Sequence, residues 1–417
     1  MWINAINKIT NISVLQKVQR LACLCISGAI SSTPTAALEI LLSIPPLDIF
    51  LSGEAIKAMY RLEKNETWTD RSGFGLKGKL RSHVDICLEI SSEIPTISMP
   101  KDAITKTIIP DKHFAINIPS REAIETIIEN IPVGSYECYT DGSKSNCTGS
   151  GAIIRTKNLG NDFSRYHLYL GPTSTVFQAE VIAIHMVANE LLARNLTNEN
   201  IYIFSDSQSA ILALANSHKF QRCVLECTLA LNRLASIPNS VISSWVPGHS
   251  DIHGNELADT IAKEASQLAV SGPAPFYPLS YQSIKNDVRN WVRKKHKLAW
   301  LSRADCRHTK MVLNLMELEG KLLHLNRFNL RQIIQVITGH ANLAKHLNTC
   351  GYVDSPICPV CGEEDETPIH FLGKCPIFST PRSEFFGLPI IGFEQVLSYK
   401  GLSGLVGYLN YTRHLVS

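Results

Sequence analysis

The chain has 417 residues, enough for two or three units at roughly 150 residues per domain. Hydrophobic residues make up 45% and charged residues 18%, which excludes wholesale disorder, and Gly 24 with Pro 20 excludes a collagen-like bias. The formal net charge of +3 conceals an asymmetry: Lys285 to Lys345 holds 13 Lys/Arg against 4 Asp/Glu (+9), and the rest holds 27 against 33 (−6). A basic block on a mildly acidic chain points to a polyanion partner.

Of the 12 cysteines, three stand in a ligand-like cluster and nine are scattered singly or in close pairs among apolar neighbours. That is no disulfide framework, and it fits a reducing compartment. Met1 to Asn11 lacks a basic region followed by an apolar one, so no secretory signal is read there. The most apolar window, Leu21 to Leu51, is broken by Ser31, Ser32, Pro34, Glu39, Pro45 and Pro46 and is too interrupted to span a bilayer. The expectation is a soluble intracellular protein, cytoplasmic and/or nuclear, with no membrane partner and no small-molecule cofactor.

In chain order, residues 1–132 carry helical patterns at Val14 to Leu21, Pro34 to Leu42 and Glu54 to Leu62, then a polar, Pro-containing linker from Ser91 to Ser120. Residues 133–270 mix short strands with helices, as an α/β domain does. Ser135 to Asp141 alternates like a strand and meets Gly142-Ser143 as a turn, and Gly151 to Arg155 and Arg165 to Leu170 read as two further strands of a meander. A helix follows from about Ser174 to Ala193, with Phe177, Val181, Ile184, Val187, Ala188 and Leu191 at helical spacing. Ile201 to Ser205 is a continuous apolar run, typical of a central strand. Val241 to Val246 is a last strand, leading through Pro247-Gly248-His249 to a helix near Asn255. Residues 277–349 are basic and helical, 350–378 bear Cys and His, and 379–417 form a tail.

The middle region carries the chemistry. Glu180 lies on the apolar stripe of its helix, where an ionised carboxylate costs several kcal/mol or so unless compensated. Asp141 and Asp206 fall at the carboxyl ends of strands, where open sheets bind ligands, and Asp259 lies about one turn into the last helix. Four like charges converging on one mouth require a counterion. Two divalent cations satisfy that need and suit in-line phosphodiester hydrolysis, and carboxylate and water ligands favour Mg²⁺ or Mn²⁺ over Zn²⁺. Glu256, three residues before Asp259, shares its helical face. His185 reads as a partly buried core histidine, and Cys223 and Cys227, at i and i+4, read as packing.

The C-terminal pattern Cys358-x2-Cys361-x8-His370-x4-Cys375 suits a closed tetrahedral Zn²⁺ site. Gly362 permits the tight turn that aims backbone amides at the sulfurs, and so short a segment needs such a staple. Cys350 and His346 are alternative ligands nearby. The zinc is either structural only or part of a contact with single-stranded nucleic acid.

Tyr139-Thr140-Asp141-Gly142-Ser143, Gln178-Ala179-Glu180, Ser205-Asp206-Ser207-Gln208-Ser209 and Val246-Pro247-Gly248-His249 with Gly254-Asn255-Glu256-Leu257-Ala258-Asp259 resemble the type 1 ribonuclease H domain. The resemblance implies a mixed five-stranded sheet flanked by helices. It also implies two Mg²⁺ ions on Asp141, Glu180, Asp206 and Asp259, with Mn²⁺ an admissible substitute. One ion would activate water and the other would stabilise the leaving 3′ oxygen of an RNA strand paired with DNA. It implies a proton-handling or product-release role for His249, and substrate contacts from Gly142, Ser143, Gln178, Ser207, Gln208 and Asn255. The basic protrusion that grips hybrid in some family members is absent between the Asp206 helix and the last strand.

On the flanks, Leu15 to Arg20 with Thr33 to Glu39 resembles the tail of a non-LTR retrotransposon reverse transcriptase. Thr338-Gly339-His340 and the Cys358-to-His370 stretch resemble the region that follows ribonuclease H in the same polyproteins. No Asp-Asp pair is present, so the polymerase palm is missing. Two other readings stand beside the enzyme. One is a non-catalytic nucleic-acid-binding relic of such an element, which four intact carboxylates disfavour. The other is a recombinase or transposase on the same sheet, which the Thr140-to-Ser143 and Gly248-to-Asn255 signatures disfavour.

Overall fold

The computed structural model describes residues 8–64, 89–90, 92–104, 107–109, 111–157, 163–219, 221–236, 238–268, 277–315, 320–398 and 401–415. Within these, one compact unit gathers residues 56–64 and 89–289, and a second gathers 8–55 and 290–415.

The first unit is built on a mixed sheet. Its strands are β2 (Ala115–Asn117), β3 (Tyr136–Lys144), β4 (Thr148–Thr156), β5 (Phe163–Gly171), β6 (Asn200–Ser205) and β8 (Ser240–Trp245), in the order β2-β8-β6-β3-β4-β5. β3, β4 and β5 pair antiparallel as the meander requires, whereas β3–β6, β6–β8 and β8–β2 pair parallel. The sheet therefore has six strands, not five. The sixth, β2, lies in the stretch read as linker, because three residues cannot display a period. A separate two-stranded ladder joins β1 (Thr107–Ile108) to β7 (His218–Lys219).

β6 is buried on both faces at Ile201, Ile203 and Phe204, which explains its unbroken apolar run. On one side Val181, Ile184, Val187, Ala188 and Leu191 of α5 (Val176–Ala193) form a core with α6 (Gln208–Ala215) and α7 (Arg222–Ser236). On the other, Tyr139, Ile153 and Phe204 meet Ala258 and Ile261 of α8 (His253–Ser266) and Ile124 of α4 (Ile124–Glu129). Among the described residues α5 alone is long and apolar enough to cross a membrane, and its apolar stripe is spent on this core.

A second correction concerns Gly142-Ser143. These residues do not turn the chain: β3 runs through them to Lys144, pairing Gly142 with Ser150 and Ser143 with Gly149 of β4. Gly142 is there because α5 crosses directly above it. A Cβ at this position would lie 2.6 Å from the Glu180 backbone nitrogen and 2.8 Å from Ala179 Cβ. Gly142→Ala is therefore expected to cost about 1–3 kcal/mol through overpacking, read as a lower melting temperature. An unchanged melt would mean that α5 and β3 can part without penalty.

The second unit shows why composition divided the chain differently from the fold. Cys23 of α1 (Ile9–Ser27) and Leu38 and Leu41 of α2 (Thr35–Leu41) share one core with Ile333, Ile334 and Ile337 of α11 (Arg327–Thr338). Phe371 and Leu372 of the Cys/His segment enter the same core. So do Phe386, Val396 and Leu405 of α13 (Ser379–Phe386), α14 (Phe393–Ser398) and α15 (Gly401–Thr412). Residues 379–398 and 401–415 are thus not a simple tail, and the Cys/His segment is not a free-standing module. Among the described residues, α3 (Leu47–Lys64) and α9 (Tyr281–Leu301) have residues in both units, and α10 (Arg307–Leu315) and α12 (Ala344–Thr349) belong to the second.

Candidate active site

The parallel pairing of β3 with β6 ends at Thr140 and Ser205. Asp141 is the next residue of β3 and Asp206 directly follows β6, so both carboxylates stand where the sheet begins to open. Glu180 descends from the first turns of α5. That start is set by a capping box: Thr175 Oγ1 accepts from Gln178 N at 3.2 Å and Thr175 N donates to Gln178 Oε1 at 3.1 Å. Carboxylate oxygens of Asp141, Glu180 and Asp206 lie within 4.8 Å of one another. Ser205 Oγ donates to Glu180 Oε2 at 3.4 Å, the Asn255 side chain bonds Asp206, and Trp245 Nε1 holds the Asp206 carbonyl at 3.0 Å. Gly248 also approaches Asp206 closely, since a Cβ there would sit 2.8 Å from its Oδ2.

Such a cluster is electrostatically uncomfortable. Burial, then the charges of Asp206 and Asp259, push the Asp141 carboxyl up to about 7. Burial, then Asp141 and Asp206, hold Glu180 well above the carboxylate range. Asp206 is raised mainly by burial, tempered by the Asn255 hydrogen bond and the His249 charge. The sign of the linkage follows. Between the unfolded carboxylate value near 4 and the folded value near 7, the native chain binds more protons than the unfolded one. Stability without metal should therefore fall as pH rises through that window. Melts in chelator at pH 5 and pH 8 should show this fall, and it should be smaller in Asp141→Asn. An identical slope in that variant would contradict the assignment.

Asp259 is not part of the tight trio. Its Oδ2 accepts from Lys263 Nζ at 2.6 Å, an i,i+4 pair on α8, and its side chain is 22% exposed. It is still close enough for its charge to raise Asp141 and Asp206. Lys263, absent from the sequence expectations, is the cation at this mouth: its charge also lowers Asp141. The i,i+4 spacing from Asp259 was the signal. Glu256 is half-buried on α8 and its charge acts on Lys263. His249 is exposed in the loop after β8 with φ of 53°, in the left-handed region.

The expected substrate contacts divide. Ser143 is half-buried and Gln208 is exposed, while Ser207 caps α6 by accepting from Ala210 N at 3.3 Å. Asn255 is buried on Asp206. Gly142 serves packing. Gln178 is the clear correction: it is 1% exposed, and its Nε2 donates to Asp102 Oδ2 at 3.0 Å and to the Pro278 carbonyl at 2.9 Å. With its Oε1 taken by Thr175, no polar atom of its side chain is left for substrate.

The distal group, Cys358, Cys361, His370 and Cys375, also brings its four ligand atoms within 4.8 Å. Cys361 Sγ stands 3.3 Å from His370 Nε2, and His370 Nδ1 lies 3.4 Å from Glu364 Oε2 without a hydrogen bond. Gly362 is left-handed at φ 73°, and backbone amides of Val360 and Cys361 aim at the Cys358 sulfur. The alternatives His346 and Cys350 lie outside this group and pair with each other at 3.5 Å. His185 is half-buried, and its pKa is lowered by burial. Cys223 Sγ donates to Asp102 Oδ2 at 3.0 Å, while Cys227 is fully buried.

Residues 134–267, the span that carries the carboxylates, match the family model for RNase H. The match supports a ribonuclease H domain over this span. Similar solved structures include RNase H1 from the halophilic archaeon Halobacterium salinarum NRC-1, at 23% identity over 32% of this chain and 97% of that one, TM-score 0.26. The N-terminal RNase H domain of a Mycobacterium tuberculosis protein, solved as a maltose-binding-protein fusion, has 20% identity over 32% and 99%, TM-score 0.27. LC11-RNase H1 in complex with an RNA/DNA hybrid has 20% identity over 31% and 99%, TM-score 0.26. No curated protein matches the chain.

Proposed function

We propose that the ribonuclease H domain hydrolyses the RNA strand of RNA–DNA hybrids, with Asp141, Glu180 and Asp206 holding two Mg²⁺ ions and Asp259 completing the set. The observation that carries this is the trio of buried and half-buried carboxylates from three elements within 4.8 Å, all raised in pKa by burial and by neighbouring carboxylate charge. An all-oxygen donor set fits a hard divalent ion. Bound there, the ions supply Lewis-acid activation of the attacking water and stabilisation of the departing 3′ oxygen.

The chain's own residues do the rest. Ser205 and Asn255 fix the orientations of Glu180 and Asp206, and Lys263 keeps Asp259 at the mouth until a cation competes for it. His249, exposed at the edge beside Asp206, moves a proton at its ring nitrogen. His249→Ala should lower kcat by about a hundredfold without abolishing it, and total loss with an intact fold would contradict that role. The proposal itself is tested with hybrid labelled on either strand in Mg²⁺. The RNA label should shorten and the DNA label persist, whereas equal cutting of DNA duplex would favour the recombinase reading. Absence of cutting on every substrate would favour the non-catalytic relic.

We further propose that Cys358, Cys361, His370 and Cys375 hold a structural Zn²⁺. Three thiolates on Zn²⁺ give a centre of formal charge −1. Arg382, fully buried and donating to the carbonyls of Phe371, Cys375 and Pro389, places a positive charge beside it. The flanking resemblances support an origin as the C-terminal part of a retroelement polyprotein.

A further inference from the structure

His346 and Cys350 stand outside the Cys358 group, yet they have company of their own. Cys350 directly follows α12, four residues after His346, so the two side chains leave one face of the helix. His346 Nε2 lies 3.5 Å from Cys350 Sγ. Zn²⁺ bonds of about 2.0 Å to nitrogen and 2.3 Å to sulfur, opened to the tetrahedral angle, set those two atoms about 3.5 Å apart. An S–H···N hydrogen bond fits the same distance, so the pair alone decides nothing.

Two further groups decide it. The His340 ring meets the His346 ring edge-on, with centroids 4.7 Å apart. Ser32 Oγ lies between them, 2.9 Å from His346 Nε2 and 3.3 Å from His340 Nδ1. A neutral imidazole nitrogen offers either one N–H or one lone pair. His346 Nε2 therefore faces a hydroxyl and a thiol together but can pair fully with only one of them. A cation in place of the thiol proton would satisfy the sulfur and both rings at once. Burial, then the charges of His346 and His308, lowers the His340 pKa to about 4, and burial lowers that of His346, so both rings are neutral at pH 7, as ligands must be. The backbone holds the group in place. Gly339, left-handed at φ 74°, ends α11 and turns the chain into His340. Arg20 donates to the Ser31 carbonyl and, at 2.9 Å each, to the Thr33 carbonyl and Thr35 Oγ1, which fixes the loop that carries Ser32. A cleft of about 290 Å³ opens beside His308, His340 and His346. Every one of these residues belongs to the second unit.

We propose that His340, His346 and Cys350 form a second transition-metal site, separate from the Cys358 group, which takes Zn²⁺ or a similar borderline ion with the Ser32 hydroxyl or water in the fourth position. Two imidazoles and a thiolate select such an ion over Mg²⁺ or Ca²⁺. On binding, the Cys350 thiol proton leaves to solvent and a sulfur–metal bond forms in its place. The ligand atoms are strung along the Ser32 hydroxyl, whereas those of the Cys358 group already lie within 4.8 Å of one another, and Cys350 is exposed. The site is accordingly open and the weaker of the two, filled when metal is supplied.

The test is a titration of the full chain, as purified and reduced, with Zn²⁺ and separately with Co²⁺. Cys350→Ser and His346→Gln are measured alongside, with Cys25→Ser, an exposed thiol elsewhere in the same unit, as the control. The wild type and Cys25→Ser should each take up one more equivalent of Zn²⁺ than Cys350→Ser or His346→Gln. With Co²⁺ that extra equivalent should bring added sulfur-to-metal charge-transfer absorption, which Cys350→Ser lacks. The reading is a difference between chains, so it does not depend on what the Cys358 group holds. Should one of the two site variants fold poorly, the other carries the comparison. Equal uptake by all four chains, an extra equivalent without the sulfur band, or the same loss in Cys25→Ser would overturn the site.

Discussion

Replacing Asp141 by Asn is expected to end hybrid cleavage and, in the same protein, to raise the melting temperature of the metal-free chain at pH 8. The first effect follows because Asn cannot supply an anionic ligand between Glu180 and Asp206. Outer-shell partners of metal ligands already cost about 10–100-fold when removed, and loss of a ligand should exceed that. The second effect follows from the electrostatics. At pH 8 an Asp141 carboxyl with a pKa of about 7 is largely ionised, while buried and facing like charges. A neutral side chain of the same shape relieves that repulsion, and each kcal/mol relieved should appear as about 2–4 °C. Activity and stability thus move in opposite directions, a signature that a purely structural carboxylate does not give. A variant that melts lower and still cuts would contradict both halves.

Stripping zinc should produce the other large effect. Structural zinc contributes about 10–16 kcal/mol of apparent binding free energy, comparable to the whole stability of a typical domain. Here the metal segment also sends Phe371 and Leu372 into the core formed with α2 and α11. A strong chelator should therefore release one zinc per chain and lower the melt of the unit holding residues 8–55 and 290–415. Cleavage after Mg²⁺ is restored should still be measurable, because none of its ligands is in that unit. Cys375→Ser should reproduce the loss. Purified protein without bound zinc, melting identically before and after chelation, would remove the metal from the account.

How much of this was legible in sequence depended on the range of the interaction. Asp141, Glu180 and Asp206 could be placed because strand ends and a helical stripe are local patterns, and the structure brings all three together. Asp259 lies outside the tight group, where a lysine one turn on takes its carboxylate. Gln178 was misread because its partners, Asp102 and Pro278, are 76 and 100 residues away. β2 has only three residues and no period to detect, and its pairing with β8 is decided by tertiary packing. The N-terminal helices and the Cys/His segment looked independent because composition changes between them, yet their apolar residues meet in a single core.

The central claim is that the carboxylate trio holds the cations with which hybrid is cut. Single-turnover cleavage of an RNA–DNA hybrid by the full chain, followed as Mg²⁺ is titrated, tests it directly, with Asp141→Asn measured alongside. The account predicts that the wild type is inert in chelator and saturates with Mg²⁺, cutting the RNA strand alone. The variant should stay inert at every Mg²⁺ concentration while binding hybrid as before. Cleavage that persists in chelator, or an Asp141→Asn curve that overlays the wild type, would contradict it.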